Sequence, residues 1–468
     1  MHSIPADLDE KRDAKDVETG DAIIVESKTL EVQVLSDTTS HPPSELEPNA
    51  FQKFTAQLSK WGVETHGIAP IPPEERKDTR LYQMFFIWCS ANLNALTFYG
   101  AMIPSLLNAF SLQGFLILNT IVGGQTLAAV SDHLNDTLGI VIIGVVSLVI
   151  TFCGYKVLHM YESVAWIPNL VAFLVMIGVG AKHIETIPTP PPEPVSVLSF
   201  ASVLVSSVLS WCTMTPDYGV YHRDSPSWRI FLYVYLGFFV SSLPGHMLGA
   251  SFAASAPAVP AWQAGLGDGS NVGGLIEAVL SMSGGFGKFL TVVIALTIPS
   301  AVAPTMYSFG TSFMAVTPIL AKVPRYVYAV IATAILIPVA IVGAVRFYNT
   351  LVDILSIIGY WSAIHAAIIM SDHSIVRRGR FTSYNVKDWD KPRRLPLSLA
   401  SVIAFLGAIA IIVPCMSQVW YIGPIASMGT GDISMFTGFA MAALLYVPLR
   451  IMEKLLEGNL GRGVDASY

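Results

Sequence analysis

The sequence predicts an all-α polytopic membrane protein. Residues 81–131 contain no Asp, Glu, Lys or Arg, although roughly 20 apolar residues are enough for one helix to cross a bilayer. Similar apolar, charge-poor stretches recur almost to the C-terminus. Charged residues make up only 13% of the 468 residues, against about 25% in a soluble domain. This composition fits many lipid-facing helices and argues against a large soluble domain.

The chain divides into two polar ends and a long apolar body. Residues 1–50 are rich in Asp, Glu, Ser, Thr and Pro and lack an apolar signal-peptide core. We therefore expect 1–55 to be a disordered cytoplasmic tail, followed by a cytoplasmic juxtamembrane segment over 56–80. The transmembrane domain is expected over 81–452, and a cytoplasmic C-terminal tail over 453–468.

Within the apolar body, eleven segments are predicted to span the membrane, with ends uncertain by several residues. In chain order they are 81–98, 101–131, 138–155, 161–181, 197–216, 230–254, 288–315, 326–345, 350–370, 396–416 and 432–449.

Basic residues predict the orientation of these spans. The longest polar connector, 372–395, carries seven Lys and Arg residues, and such clusters mark the cytoplasmic side. The connector 255–287 has no Lys or Arg and is rich in Gly and Ser, so we expect an outer loop that includes the Gly-rich stretch 284–287. Counting crossings from the basic connector places the C-terminal tail in the cytoplasm. The N-terminal flank is predicted to be cytoplasmic because of its own basic residues, Lys53, Lys60, Arg76, Lys77 and Arg80.

The count fails at one place. Between Arg80, predicted inside, and Asp132, predicted outside, an odd number of crossings is needed. The sequence offers two spans there, 81–98 and 101–131, joined only by Tyr99 and Gly100. Two residues are too few for a turn at the membrane surface. Either one segment does not span or a piece of chain is missing.

Polar residues inside a membrane are expensive and indicate functional sites. The stretch 210–221 contains Trp211, Thr215 and Pro216. Pro216 removes a backbone donor, and the Thr residues and Gly219 permit unwinding. Unwound backbone can bind a polar solute, and Trp211 offers a face for stacking a planar ring. Alternatively, the helix simply ends at Pro216 and Trp211 belongs to an interfacial aromatic belt.

A second candidate lies in the span 101–131. Phe115 and Asn119 are four residues apart and share one helix face, and an amide side chain can both donate and accept hydrogen bonds. Asn119 as a hydrogen bond between helices is the alternative.

The third candidate is 295–308, where Pro299 and Pro304 stand five apart and Thr305 follows. The two prolines predict a broken helix whose Pro304 and Thr305 contact the solute, or merely a structural kink.

The sequence argues against an enzyme. It contains no Walker A motif, and no nucleophile–base pair or metal-ligand cluster stands out. The four cysteines all lie in apolar stretches and are expected to be buried thiols. We therefore expect no cofactor, no metal and no nucleic-acid partner.

These motifs together resemble the fungal purine–cytosine permeases of the nucleobase:cation symporter-1 family. Features that carry the resemblance run from about residue 60 to 460: 62–68 with 72–76, 119–125, 154–156, 216–218, 359–361 and 420–424.

The resemblance implies a LeuT-type fold of two inverted five-helix repeats plus two C-terminal helices, with the solute bound at the midplane where helices are broken. It also implies a plasma-membrane symporter that uses protons to import a small planar heterocycle such as a purine or cytosine. By this resemblance Trp211 matches the family's stacking tryptophan and Asn119 its amide. Phe115 stands where many members have tryptophan.

The chain departs from the family in two places. After Phe98 the family continues through the middle of its first helix and all of its second, roughly 50 residues, whereas here Phe98 passes straight to Tyr99 and the next helix. This is also where the crossing count fails. In the eighth helix, family members often read Asn-Asn-x-Pro-Asn-x-Tyr, and the chain has Ala, Val and Thr at the amide positions of 301–307.

The sequence therefore predicts a proton-coupled symporter that lacks part of the first helix and the second helix. Two rival hypotheses remain open. The missing segment makes the chain inactive, or the chain is a non-transporting sensor or regulatory partner of an intact permease.

Overall fold

Helices account for nearly all of the secondary structure. The fold is described from a computed structural model for residues 102–184, 191–213, 226–317, 319–384 and 396–459, which all fall within one unit, Ser59–Tyr468. Within these ranges the only β-pairing is an isolated bridge between Ser417 and Ile422. The predicted span 81–98 and the segments 1–55 and 56–80 lie outside the described residues.

Thirteen α-helices form the described part of the chain. They are α1 (Met102–Ala128), α2 (Asp136–Phe152), α3 (Tyr155–Gly180), α4 (Pro194–Leu209), α5 (Ser227–Ser255), α6 (Pro260–Leu266), α7 (Val272–Leu280), α8 (Gly285–Thr297), α9 (Pro299–Val316), α10 (Arg325–Ala344), α11 (Phe347–Ser371), α12 (Leu399–Cys415) and α13 (Ser434–Asn459).

Each predicted span that falls within the described residues overlaps one or two of these helices, and most ends differ by a few residues. Eight helical segments are long and apolar enough to cross a membrane, while α2, α7 and α12 are apolar but shorter. The predicted span 288–315 is two helices, α8 and α9, separated only by Ile298. The interruption stands next to Pro299, but Ile298 keeps helical dihedral angles, so α8 and α9 together form one apolar segment, Gly285–Val316. Pro304 lies inside α9. At the C-terminus, α13 runs on past residue 452 to Asn459.

The expectation that 284–287 is loop is wrong, because only Gly284 precedes the next helix; the predicted outer side of the connector 255–287 stays a prediction. This connector contains α6 and α7, and Gly285 begins α8. Trp262 of α6 is fully buried against Phe252, with ring centroids 5.2 Å apart. A Cβ added at Gly273 of α7 would lie 2.2 Å from the backbone nitrogen of Thr126. Gly273 therefore permits close packing of α7 on α1.

Helix α1 is the centre of the fold. Most of it is buried, as is most of α11, whereas α4 and α5 are largely exposed. Its core residues, including Leu116 and Ile121, pack with Val302 of α9 and Leu336 of α10. The most conspicuous polar candidates of the sequence therefore lie on a buried helix.

Contacts along α1 define how its neighbours run. Asn108 bonds to Ser312, and Gly123 lies against Ile298, so α1 and α9 are antiparallel. Midway between these two contacts, residues 115 and 116 of α1 stand level with Thr305. The site candidates on α1 and α9 therefore share one level of the bundle.

The last two helices are joined by a buried charge cluster. Glu453 Oε1 accepts the backbone N–H groups of Leu399 and Ala400 at 2.6 and 3.4 Å, and Glu457 accepts that of Leu397 at 2.8 Å. The N-terminal N–H groups of a helix have no partner within the helix. Arg450 pairs with both glutamates, at 2.7 and 3.2 Å. Helix α13 therefore supplies the N-terminal cap of α12, and its arginine offsets part of the negative charge of the two carboxylates.

Candidate solute-binding site

The structure brings Phe115 and Trp211 together. Helix α4 ends at Leu209, and residues Ser210–Thr213 continue as a single 3₁₀ turn. Trp211 on this turn is half-buried. Its ring lies 5.3 Å from that of Phe115, centroid to centroid, at an angle of 31°. Such an offset pair is a favourable aromatic arrangement, and it forms an aromatic wall between α1 and the end of α4.

Asn119 lies one turn along α1 from Phe115 and is partly exposed. Its amide nitrogen donates to the carbonyl of Phe115, at 2.9 Å. The bond is within the same helix, so this contact gives no support to the alternative of Asn119 as a link between helices. The amide oxygen of Asn119 has two lone pairs. It is the group of this side chain that can accept a hydrogen bond from a solute.

Pro304 and Thr305 are buried in α9, level with Phe115. The Thr305 hydroxyl donates to the carbonyl of Ala301 at 2.7 Å, and its side chain is fully buried. Serine and threonine often satisfy themselves within a helix in this way. Thr215, the remaining predicted site residue, lies outside the described residues.

Asn108 is a polar residue of this region that the sequence analysis missed. Its Nδ2 donates to Ser312 Oγ of α9 at 2.8 Å, and its Oδ1 accepts the Thr213 hydroxyl at 2.5 Å. One buried amide thus connects α1, α9 and the 3₁₀ turn that carries Trp211. Asn108 could have been found from its position in the sequence, because residues 108, 115 and 119 recur at helical intervals on one face.

The indole nitrogen of Trp361 makes a second such link. It donates to Ser111 Oγ at 2.6 Å, joining α11 to α1. A Cβ added at the neighbouring Gly359 would lie 1.8 Å from Ser206 Oγ, so α11 also approaches α4 very closely. These contacts hold the three helices around the aromatic pair in register.

The chemistry of the site suits binding. Its side chains are aromatic, amide and hydroxyl groups, which can stack and form hydrogen bonds. Among the described residues, no group of three or more His, Cys, Asp or Glu side chains could hold a metal ion. The arrangement resembles ligand sites that are mostly apolar with a few placed polar groups.

The apolar helices and the candidate site define the class of a multi-pass membrane protein with a place for a small ligand. Residues 98–432 match the family described as permeases for cytosine/purines, uracil, thiamine and allantoin. The chain is 37% identical to purine-cytosine permease fcyB of Emericella nidulans, over 86% of this chain and 90% of that protein. It is 34% identical to purine-cytosine permease FCY21 of Saccharomyces cerevisiae, over 76% of this chain and 69% of that protein. The chain belongs to this permease family.

The fold agrees with a solved member of the nucleobase-cation-symport-1 family. Mhp1, in a closed conformation with bromovinylhydantoin bound, superposes with a TM-score of 0.56, at 15% sequence identity, over 82% of this chain and 84% of Mhp1. This likeness confirms the predicted transporter fold, and family membership confirms that the chain belongs to a transporter family rather than an enzyme family.

The alignment with fcyB leaves part of that protein without a counterpart in this chain, summed over all gaps in the alignment. It spans 464 positions but uses only 86% of this chain, which is about 400 of the 468 residues. About 60 positions therefore have no counterpart here. The alignment with FCY21 needs only 368 positions for 76% of the chain, or about 356 residues, so it lacks this excess.

Proposed function

We propose that the chain is built as a secondary active transporter that imports a small planar heterocycle, a purine, cytosine or related solute, by proton symport. The observation that carries this proposal is the Phe115–Trp211 pair at the level of Asn119 and Thr305. Aromatic faces bind planar rings by stacking, with about 1–3 kcal/mol per base. The relatives named as purine-cytosine permeases support the same solute class.

In this proposal the solute stacks on the part of Trp211 that Phe115 leaves uncovered. Asn119 Oδ1 accepts a hydrogen bond from a ring N–H or exocyclic amine. The 3₁₀ turn that carries Trp211 is connected to α1 and α9 through Asn108, so the stacking face has a fixed position. A fixed aromatic face costs little entropy when the solute binds.

Helix α9 contributes less polarity than the family pattern provides. Thr305 bonds to its own helix, and Ala301 and Val302 stand where family members often have amides. We therefore propose that recognition depends on the flat ring more than on its polar edge. Purines, cytosine and other small aromatic heterocycles all satisfy this requirement.

We further propose that the junction after Phe98 lacks most of the family's first two helices. Two observations support this: the family match begins at residue 98, and the total of about 60 unmatched positions in the alignment with fcyB is close to the roughly 50 residues expected. In a LeuT-type site the middle of the first helix faces the sixth, so this loss removes one wall of the site. We expect the 468-residue chain to transport poorly, and a role as a solute sensor is the second candidate.

Uptake tests these proposals in cells that lack their own purine and cytosine permeases. Radiolabelled adenine and cytosine are supplied at external pH 5 and pH 7, with and without a protonophore, to cells with the chain at the plasma membrane. We expect accumulation near background. Robust uptake that the protonophore abolishes would support the proton symporter and refute the proposal that the 468-residue chain transports poorly.

Binding without accumulation would favour the sensor. It is measured on the purified chain with the same two solutes. Tagged termini that are accessible only after the cells are permeabilised would support the proposed cytoplasmic location of both ends.

A further inference from the structure

The basic connector after α11 contains a sequence that the transport function does not explain. Residues 378–383 read Arg-Gly-Arg-Phe-Thr-Ser, so Arg380 and Arg378 stand three and five residues before Ser383. Arginine-directed Ser/Thr kinases recognise this spacing because acidic pockets in their substrate groove bind the two guanidinium groups. Across the whole sequence, only Ser383 has arginine at both positions.

The structure presents this segment at the surface. Ser383 ends a 3₁₀ turn, Phe381–Ser383, just beyond α11. Arg378 and Arg380 are exposed, and Ser383 is partly exposed. The Ser383 hydroxyl donates to the carbonyl of Arg380 at 2.6 Å. For the segment to extend into a kinase groove, this turn must open and the contacts of Arg377 and His373 with residues 381–384 must be released. Surface segments at the ends of helices open in this way at less cost than the core.

Ser383 is also connected to the end of the helix bundle. Arg377 donates to the Ser383 carbonyl at 2.8 Å and pairs with Asp372 at 2.6 Å. Asp372 in turn accepts the hydroxyl of Tyr446 on α13, at 2.9 Å. A phosphate on Ser383 would compete with Asp372 for Arg377, since phosphate carries about −1.5 to −2 charges. The modification would therefore act on the contact between α11 and α13.

We propose that Ser383 is a phosphorylation site for an arginine-directed Ser/Thr kinase on the cytoplasmic side. Ser383 Oγ attacks the γ-phosphorus of ATP, forming an O–P bond as the bond to the β,γ-bridging oxygen breaks. ADP leaves, and the hydroxyl proton passes to the kinase's catalytic base. The proposal does not depend on whether the chain transports a solute.

The test uses the full chain reconstituted in lipid nanodiscs, a purified arginine-directed kinase catalytic domain and ATP, with phosphate located by mass spectrometry. We expect incorporation at Ser383, loss of that signal in Ser383→Ala, and a decrease of tenfold or more in Arg378→Ala/Arg380→Ala. Thr382→Ala is the matched control and should keep the signal. All variants must elute as the parent protein does.

Three results would overturn the proposal: no incorporation, incorporation confined to other residues, or equal incorporation after both arginines are removed. Membrane vesicles test the side of the membrane separately. Kinase and ATP added from outside should label inside-out vesicles only, and labelling of right-side-out vesicles alone would place Ser383 on the wrong side for a cytoplasmic kinase.

Discussion

At the scale of single residues, substitution of Trp211 is the most direct test of the proposed site. Trp211→Ala should weaken binding of adenine or cytosine by about 1–3 kcal/mol, the range for base–aromatic stacking, or roughly 5- to 150-fold in Kd. Trp211→Phe should keep part of this affinity because a ring face remains. The measurement is equilibrium binding to purified protein, both for this chain and for a version that carries fcyB's additional segment after Phe98.

The Trp211 substitutions need a control for the lost contact with Phe115. Because the Trp211 ring packs on Phe115, its loss also removes a packing contact, and thermal stability must be measured alongside binding. Unchanged affinity in a well-expressed Trp211→Ala protein would assign this residue to the lipid belt.

Asn119 and Asn108 form a matched pair on α1, because eleven residues make about three helical turns. Asn119→Leu should weaken solute binding by about 1–3 kcal/mol, the penalty for an unpaired polar group, while expression is preserved. Asn108→Leu should instead lower expression and thermal stability, because Asn108 connects α1, α9 and the 3₁₀ turn. A loss of expression in Asn119→Leu as well would contradict this division of roles.

The two asparagines also show which parts of the candidate site can be predicted from the sequence and which cannot. Helical spacing identified Phe115 and Asn119 as one face, and unwinding signals identified the Trp211 segment. Nothing in the sequence pairs Asn108 with Ser312 and Thr213, which are about 200 and 100 residues away. Such partners are decided by packing, so the residue that anchors the site was missed.

At the scale of elements, Gly359 determines how closely α11 approaches α4. A Cβ at this position would lie 2.4 Å from the Cβ of Ser206, so Gly359→Ala must push the two helices apart. Overpacking of this kind costs about 1–3 kcal/mol. We expect a lower unfolding temperature in detergent, with partial recovery in the double variant Gly359→Ala/Ser206→Gly.

Gly245 in α5 provides the control for that substitution. An added Cβ there meets nothing within 4 Å, and alanine favours a helix over glycine by about 1 kcal/mol. Gly245→Ala should therefore leave the unfolding temperature unchanged or slightly raised. Equal destabilisation by both substitutions would show that helix contact at Gly359 is not the cause.

The prolines show that helix boundaries depend on neighbouring helices as well as on the sequence. At Pro299 the helix is interrupted only at Ile298, which keeps helical dihedral angles, and Pro168, Pro244, Pro304 and Pro338 all lie inside helices. In membranes, neighbouring helices and hydroxyl side chains can satisfy the carbonyl that a proline leaves without its donor. The sequence shows where a break is allowed, and the neighbours decide whether it occurs.

At the scale of the whole molecule, the proposal that the junction at Phe98 limits activity makes a prediction. Inserting fcyB's corresponding segment after Phe98 should raise proton-dependent uptake of adenine or cytosine clearly above that of the 468-residue chain. In the proposal, the insertion restores an odd number of crossings and the wall that the first helix supplies. An unrelated pair of apolar helices of equal length, inserted at the same place, is the control. Equal uptake with and without fcyB's segment would refute the proposal.

The cap that α13 places on α12 has a consequence for how the protein is made. A ribosome completes α12 about forty residues before it reaches Glu453 and Glu457, so the new helix forms before its cap exists. Only a nearly finished chain can supply the two carboxylates. We expect products of premature termination before residue 453 to lack this cap and to hold α12 in the bundle less firmly than complete chains do.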